Sequence, residues 1–100
     1  MVKGKTKSGI KFQINERIKD DARFVMFYAK TLDKNATQEE QADAMMRFLR
    51  LIFGSDEGTF QFMDAVASAH GGVCDKDALE IELSEMIEAI DAKNSSSSPQ

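Results

Sequence analysis

The side chains with the most reactive chemistry in this chain lie close together in the sequence. His70 and Cys74 are four residues apart, and the chain has one histidine and one cysteine in all. A thiol beside an imidazole can form a nucleophile and base pair, and both side chains are metal ligands. A structural zinc site needs four ligands, and Gly71-Gly72-Val73 between the two residues predicts a loop instead of a helix face. Nothing nearby supplies an orienting third group for a nucleophile, so the pattern favours neither kind of site.

The acidic residues that follow resemble the start of a calcium-binding loop. Such a loop begins with ligands at the spacing of Asp75 and Asp77, and it has glycine at its sixth position and glutamate at its twelfth. This chain has Glu80 and Met86 at those positions. No glycine-rich phosphate loop of either common type is present. We therefore expect no catalytic residue, no metal site and no cofactor, and we expect that the protein is not an enzyme.

Composition and charge narrow the classes of partner. The 100 residues are 42% hydrophobic and 30% charged, as in one soluble domain, and the net charge of −4 disfavours binding to nucleic acid. A helix-turn-helix at residues 54–55 would place residues 56–69 in DNA, and that segment has no lysine or arginine. No apolar run approaches the roughly 20 residues that span a membrane. With one cysteine and no apolar signal segment at the start, we expect a reducing, cytosolic setting.

Charge is segregated along the chain. Residues 1–14 carry four lysines and no acid, whereas residues 74–92 carry seven acids and a single lysine. The pattern fits two solvated faces. It also fits head-to-tail attraction between subunits, or a charged docking face for a partner.

The N-terminal residues predict a short β-hairpin over about residues 2–14. Three apolar residues alternate with polar ones, which is the period of a half-buried strand: Ile10, Phe12 and Ile14. Lys7-Ser8-Gly9 supplies the turn chemistry before them. The first strand, residues 2–6, is the weaker prediction because Gly4 interrupts it. An isolated hairpin is marginally stable in water, so we expect it to pack on helices.

The remainder of the chain predicts a mainly α fold, with about four helices packed as a small bundle. Asn15 can start a turn or cap a short helical piece through Ile18, and a main helix is expected from a cap at Asp20 or Asp21 to about residue 32. Thr37 and Glu40 have the spacing of a capping box for a helix to residue 53, and Gly54 ends it. Two further helices are expected at about 56–69 and 76–92. Residues 1–92 are then one domain, and 93–100 a disordered polar tail.

The second helix has more apolar surface than one core requires. Its polar residues Asp43, Arg47 and Arg50 lie on one strip, which leaves an apolar arc of roughly 220°, whereas about 100° covers one core. Helices one to three could bury one another from two sides, or the surplus could bind a partner or a second copy. Five internal methionines give an adaptable apolar character: Met26, Met45, Met46, Met63 and Met86.

The surplus apolar surface of the second helix predicts a set of partner-binding residues. We expect the arc through Met45, Leu49, Ile52 and Phe53 to form the domain core. The other shoulder of this helix, together with aromatic residues of helices one and three, is the expected partner surface: Ala44, Phe48, Leu51, Phe24, Phe27 and Phe62. The fourth helix differs, because its apolar residues form one stripe of about 100° and acids take most of the other side.

The order of these segments resembles the small tail assembly chaperones of long-tailed bacteriophages and prophages. Ser8-Gly9-Ile10-Lys11-Phe12-Gln13-Ile14-Asn15-Glu16, followed by Asp20-Asp21 and an apolar helix, is similar to the start of such proteins. Residues 48–54 resemble their leucine-rich run ending in glycine, and residues 78–90 their glutamate-rich last helix. The likeness covers about residues 8–92 and includes no catalytic motif. The lysine-rich residues 3–7 depart from the pattern.

The resemblance implies a function by binding. Such chaperones coat the hydrophobic, helical tape measure protein and help the tail-tube protein to assemble around it. It further implies self-association, a location in the cytoplasm of the bacterial host, and absence from the mature virion. The alternative is a small acidic protein-binding regulator that acts through its C-terminal acidic helix, with Glu82 and Glu85 among its contact residues.

Overall fold

The computed structural model describes residues 1–96 of the chain, with side chains through residue 94. The mainly helical fold with an N-terminal hairpin is confirmed. The strands are β1 (Val2–Lys5) and β2 (Lys11–Ile14), and a 3-10 turn spans Ile18–Asp20. The helices are α1 (Ala22–Thr31), α2 (Gln38–Phe53), α3 (Asp56–Ala69) and α4 (Lys76–Ser96). Within the described residues, no helix is both long and apolar enough to cross a membrane.

Contacts divide the chain into two units. The first comprises Met1–Glu16 and the chain from Phe60 onward, and the second comprises Arg17–Thr59. The first unit thus holds the hairpin, all of α4 and most of α3, and the second holds α1 and α2.

The hairpin of the first unit depends on Gly4, the residue that made its first strand the weaker prediction. The strands are antiparallel, and Gly4 lies opposite Phe12. A Cβ added at Gly4 would lie 2.7 Å from Phe12 Cζ, which is closer than two carbon atoms can approach. Glycine therefore allows the ring to lie across the neighbouring strand. Gly9 closes the turn with a φ of 93°, a left-handed conformation that favours glycine.

The hairpin packs on α4, which is how a two-stranded sheet gains stability. The buried apolar residues of this unit come from the hairpin, α3 and α4: Val2, Ile10, Phe12, Ile14, Phe62, Val66, Ala78, Leu79, Leu83, Met86 and Ile90. Helix α4 continues to Ser96, four residues beyond its predicted end. Lys93 Nζ lies 3.0 Å from Glu16 Oε2, an ion pair that anchors the extra turn. The part of the predicted disordered tail at residues 97–100 lies outside the described residues.

In the second unit, α1 packs on α2. The predicted caps of both helices are confirmed. The Asp21 carboxylate accepts a hydrogen bond from the Arg23 N–H at 2.9 Å. Thr37 and Glu40 exchange two side chain to backbone bonds of 3.1 Å each, which complete the capping box. Gly54 ends α2 with a φ of 83°. A turn at residues 16–17 follows Asn15, which is one of the two alternatives expected there. The 3-10 turn comes after it at Ile18–Asp20, where Ile18 is buried.

Candidate functional site

The outer side of α1 is apolar and exposed. Val25 is 57% exposed, Met26 68% and Leu32, the residue that ends the helix, 58%. Their spacing, with the exposed Ala29, places them within an arc of roughly 120° on the helix. We call Val25, Met26, Ala29 and Leu32 the α1 face. The opposite side of the helix carries the buried Phe24 and Thr31.

The composition of α1 explains why an apolar surface is left in solvent. Its charged residues are Arg23 and Lys30, which lie on one narrow strip. Each is paired: Arg23 Nη2 lies 2.7 Å from Asp21 Oδ2, and Lys30 Nζ lies 3.3 Å from Glu40 Oε2. Hydrogen bonds from Arg23 lower the pKa of Asp21. The strip flanks the α1 face without crossing it, so the exposed arc remains uncharged.

Four of the six predicted partner-binding residues are instead buried. These are Ala44 and Phe48 of α2, Phe24 of α1 and Phe62 of α3. The prediction that Ala44 and Phe48 lie outside the core is wrong, because both are buried and the Phe48 ring packs against both Phe24 and Tyr28. Ring centroids are 4.9 Å apart for Phe24 and Phe48 and 5.6 Å for Tyr28 and Phe48.

The other two, Phe27 and Leu51, are partly exposed. Of the expected core of α2, Leu49 and Ile52 are buried, whereas Met45 and Phe53 are partly exposed. The strip of Asp43, Arg47 and Arg50 faces water as predicted. In the second unit, the exposed large apolar residues therefore lie on α1 or at its end, while α2 uses Ala44 and Phe48 of the predicted binding shoulder for packing.

A second cluster surrounds Glu82, a fully buried carboxylate on α4. The Thr6 hydroxyl donates to Glu82 Oε1 at 2.6 Å, and the Ser8 hydroxyl donates to Oε2 at 3.0 Å. His70 Nε2 lies 2.9 Å from the same Oε2. Burial raises the pKa of Glu82, but the bonds from Thr6, His70 and Ser8 more than offset it, and the pKa is lowered. The cluster joins the hairpin turn and the end of α3 to α4.

These residue types recur in hydrolytic triads, but the geometry here differs. In a triad the histidine stands between the nucleophile and the acid. Here the Ser8 hydroxyl and the His70 ring meet the same carboxylate oxygen of Glu82. This arrangement ties three elements together and leaves no base beside the serine. That the protein is not an enzyme stays a prediction.

His70 and Cys74 do not act as a pair in the structure, because the His70 ring bonds to Glu82. Burial, and then the charge of Asp75, raise the pKa of the Cys74 thiol, which lowers its nucleophilicity at neutral pH. Among the described residues, no group of three or more potential ligands could hold a metal ion.

The Glu82 cluster was missed in the sequence, although a signal for it exists. Glu82 lies three residues after Leu79 and four before Met86, within the apolar stripe of α4. An acid at that position must be buried and needs donors. For the same reason Glu82 is not a surface contact of an acidic regulator. Glu85, the other residue named for that role, accepts a hydrogen bond from the Lys7 N–H at 2.8 Å.

Lowering the pH is expected to destabilise the fold through Glu82. Its pKa is lower in the folded chain than the ordinary value of 4.5. Ionised Glu82 therefore stabilises the fold above that value, and this contribution disappears as the pH falls through the lower folded-state pKa. Urea titrations from about pH 5 to about pH 3 should show a steeper loss of unfolding free energy in the wild type than in Glu82→Gln. Parallel losses would contradict the role of this charge, since all other carboxylates are common to both proteins.

No protein-family model, no curated protein and no solved structure matches the chain.

Proposed function

We propose that this protein is a phage tail assembly chaperone that binds the hydrophobic, helical tape measure protein through the α1 face. The observation that carries the proposal is that face: an uncharged stripe of Val25, Met26 and Leu32 that is more than half exposed. Large exposed apolar patches on soluble proteins mark interaction sites. The resemblance over residues 8–92 supplies the class of client.

The shape of the α1 face suits an apolar helix. The helix is ten residues long, or about 15 Å, which matches about three turns of a bound helix. Amphipathic helices bind through side chains spaced three and four residues apart, and the α1 face presents its own side chains at that spacing. Met26 adds an unbranched, adaptable side chain that can contact varied apolar sequences. Covering the exposed parts of Val25, Met26 and Leu32 would contribute about 1–2 kcal/mol each, which fits reversible binding.

Reversible binding is what a chaperone of this kind requires. The tail-tube protein assembles around the tape measure protein, so the chaperone must leave as the tube closes. We place the protein in the cytoplasm of the bacterial host and outside the mature virion for that reason.

Charges placed on the α1 face are expected to abolish client binding without unfolding the protein. In the double variant Met26→Glu/Leu32→Glu, two carboxylates would be desolvated on binding, so the affinity for the tape measure protein should fall by at least about tenfold. Both side chains are exposed, so the unfolding free energy should change by less than about 1 kcal/mol. The measurement is co-purification with the co-expressed tape measure protein, followed by calorimetric titration with a soluble fragment of it.

The matched control is Val73→Glu. Val73 is also a large exposed apolar residue, but it lies in the loop before α4. Client binding should be unchanged in this variant. Equal binding by the wild type and the α1 variant, or an equal loss in both variants, would overturn the proposed site.

A further inference from the structure

We propose that Met26 is an oxidation site, and that one oxygen atom added to its sulfur makes the α1 face polar and prevents it from binding an apolar client. Met26 is the sulfur-containing member of that face. The loss of client binding rests on the proposed function, whereas the oxidation of the thioether and the change in polarity do not.

Exposure distinguishes Met26 from the other methionines. A thioether reacts with an oxidant only where the two can meet, so exposed methionines are oxidised before buried ones. Met26 is 68% exposed, whereas the remaining five range from 57% exposed at the N-terminus to fully buried on α4: Met1, Met45, Met46, Met63 and Met86. Met26 is therefore the most accessible thioether inside the fold.

The neighbours of Met26 on α1 leave it uncovered. The residues four before it and three after it are Ala22 and Ala29, both exposed, and a methyl group is too short to cover a methionine side chain. The other two neighbours at helical spacing, Arg23 and Lys30, hold their charged ends in ion pairs. An oxidant can therefore reach Met26 from solvent without any change in the fold.

The oxidant is hydrogen peroxide, and the step is an oxygen transfer. A sulfur lone pair attacks one peroxide oxygen, the S–O bond forms as the O–O bond breaks, and the second oxygen leaves with both hydrogens as water. The sulfur loses two electrons and the peroxide gains them. Methionine sulfoxide reductases reverse the change with electrons from a thiol, so the modification can be removed again.

A sulfoxide alters what the α1 face presents to an apolar helix. Its oxygen accepts hydrogen bonds from water, which the thioether does only weakly. An apolar client has no donor for that oxygen, so binding would remove its water without replacing the hydrogen bonds. Val25 and Leu32 share the face with Met26, and the same contact would have to cover all three side chains. We expect the affinity for the client to fall by about tenfold.

Peroxide treatment of the full chain, followed by peptide mass spectrometry, tests the oxidation site. Met26 should gain an oxygen about tenfold or more faster than Met86, which is fully buried. The oxidised wild type should also elute earlier from a hydrophobic-interaction column. The matched control is Met26→Leu, which keeps an apolar side chain of similar volume without the sulfur. Its retention should hardly change, because the exposed Met1 is common to both proteins.

Client affinity is measured on the same samples by calorimetric titration with a soluble, untreated fragment of a tape measure protein, after catalase has destroyed the peroxide. The oxidised wild type should bind about tenfold more weakly than the untreated protein, and oxidised Met26→Leu should bind as before. Treatment of the oxidised wild type with methionine sulfoxide reductases and dithiothreitol should restore its affinity.

The possible failures are separable. Oxidation of Met86 as fast as that of Met26, or equal column retention of the oxidised and untreated wild type, would overturn the oxidation site. Unchanged client affinity at complete oxidation of Met26 would overturn its effect on binding. A fragment that does not bind the untreated chain would contradict the proposed function instead, and the column retention would still decide whether the α1 face becomes polar.

Discussion

Replacement of Phe48 by alanine is expected to lower the free energy of unfolding by about 3–5 kcal/mol. Phe48 is 2% exposed, and its ring is the common contact of Phe24 and Tyr28. Its removal would leave a cavity where α1 packs on α2, and the aromatic ring contacts would be lost as well. Urea denaturation followed by circular dichroism measures the loss, and the helical signal should disappear at a lower urea concentration than in the wild type.

The control for this variant is Met26→Ala. Met26 is on α1 too, but it points to solvent, so its truncation should change the unfolding free energy by about 0.5 kcal/mol or less. If Phe48→Ala cost less than about 1 kcal/mol, the ring would not be part of the core. Phe48 would then be available to bind a partner, as the sequence predicts.

Replacement of Glu82 by alanine is expected to cost about 2–4 kcal/mol. The carboxylate is fully buried and satisfies Thr6, Ser8 and His70 together. Its removal would leave the buried Thr6 hydroxyl and the partly buried His70 ring without this acceptor. The hairpin turn would then keep its bond from the Lys7 N–H to Glu85 but lose those to Glu82. The loss is measured as unfolding free energy at pH 7, and hydrogen exchange of the hairpin amides should accelerate in the same variant.

Glu80→Ala is the matched comparison, because it truncates an exposed glutamate of the same helix. It should cost about 0.5 kcal/mol or less. Glu82→Gln should fall between the two alanine variants, because the amide keeps the shape and one acceptor oxygen but lacks the charge. Equal stability of Glu82→Ala and Glu80→Ala would show that the cluster does not hold the unit together.

The helices could be predicted from the sequence because their signals are local. A threonine with a glutamate three residues later, just before an apolar run, is the sequence signature of a capping box, and Thr37 and Glu40 form one here. Gly54 ends α2 because glycine readily adopts the left-handed conformation that the helix end needs.

The packing of α2 could not be predicted in the same way. An apolar arc of roughly 220° does not reveal which part contacts a neighbour, since that depends on residues far away in the chain. The ring of Phe24 selects the shoulder that holds Phe48. The same contact leaves the opposite side of α1 exposed to solvent, so the candidate site lies on α1 and not on α2.

The structural roles of two residues, Gly4 and Glu82, do not follow from local sequence patterns alone. Gly4 weakens a strand by propensity, yet it is the residue that the Phe12 ring requires opposite it. Glu82 counts as one of seven acids in a charged segment, yet its donors come from the hairpin turn and the end of α3. Both roles depend on pairings across the fold. Periodicity places Glu82 within the apolar stripe of α4, but it does not reveal which donors meet the carboxylate.

Site-specific photo-crosslinking is the direct test of client binding through the α1 face. A photoreactive amino acid is placed at Met26 in the full chain, and a phage tape measure protein is co-expressed with it. We expect a crosslink to the tape measure protein from position 26 and none from position 73 under the same illumination. Crosslinks from position 73 alone, or from neither position while the two proteins co-purify, would contradict it.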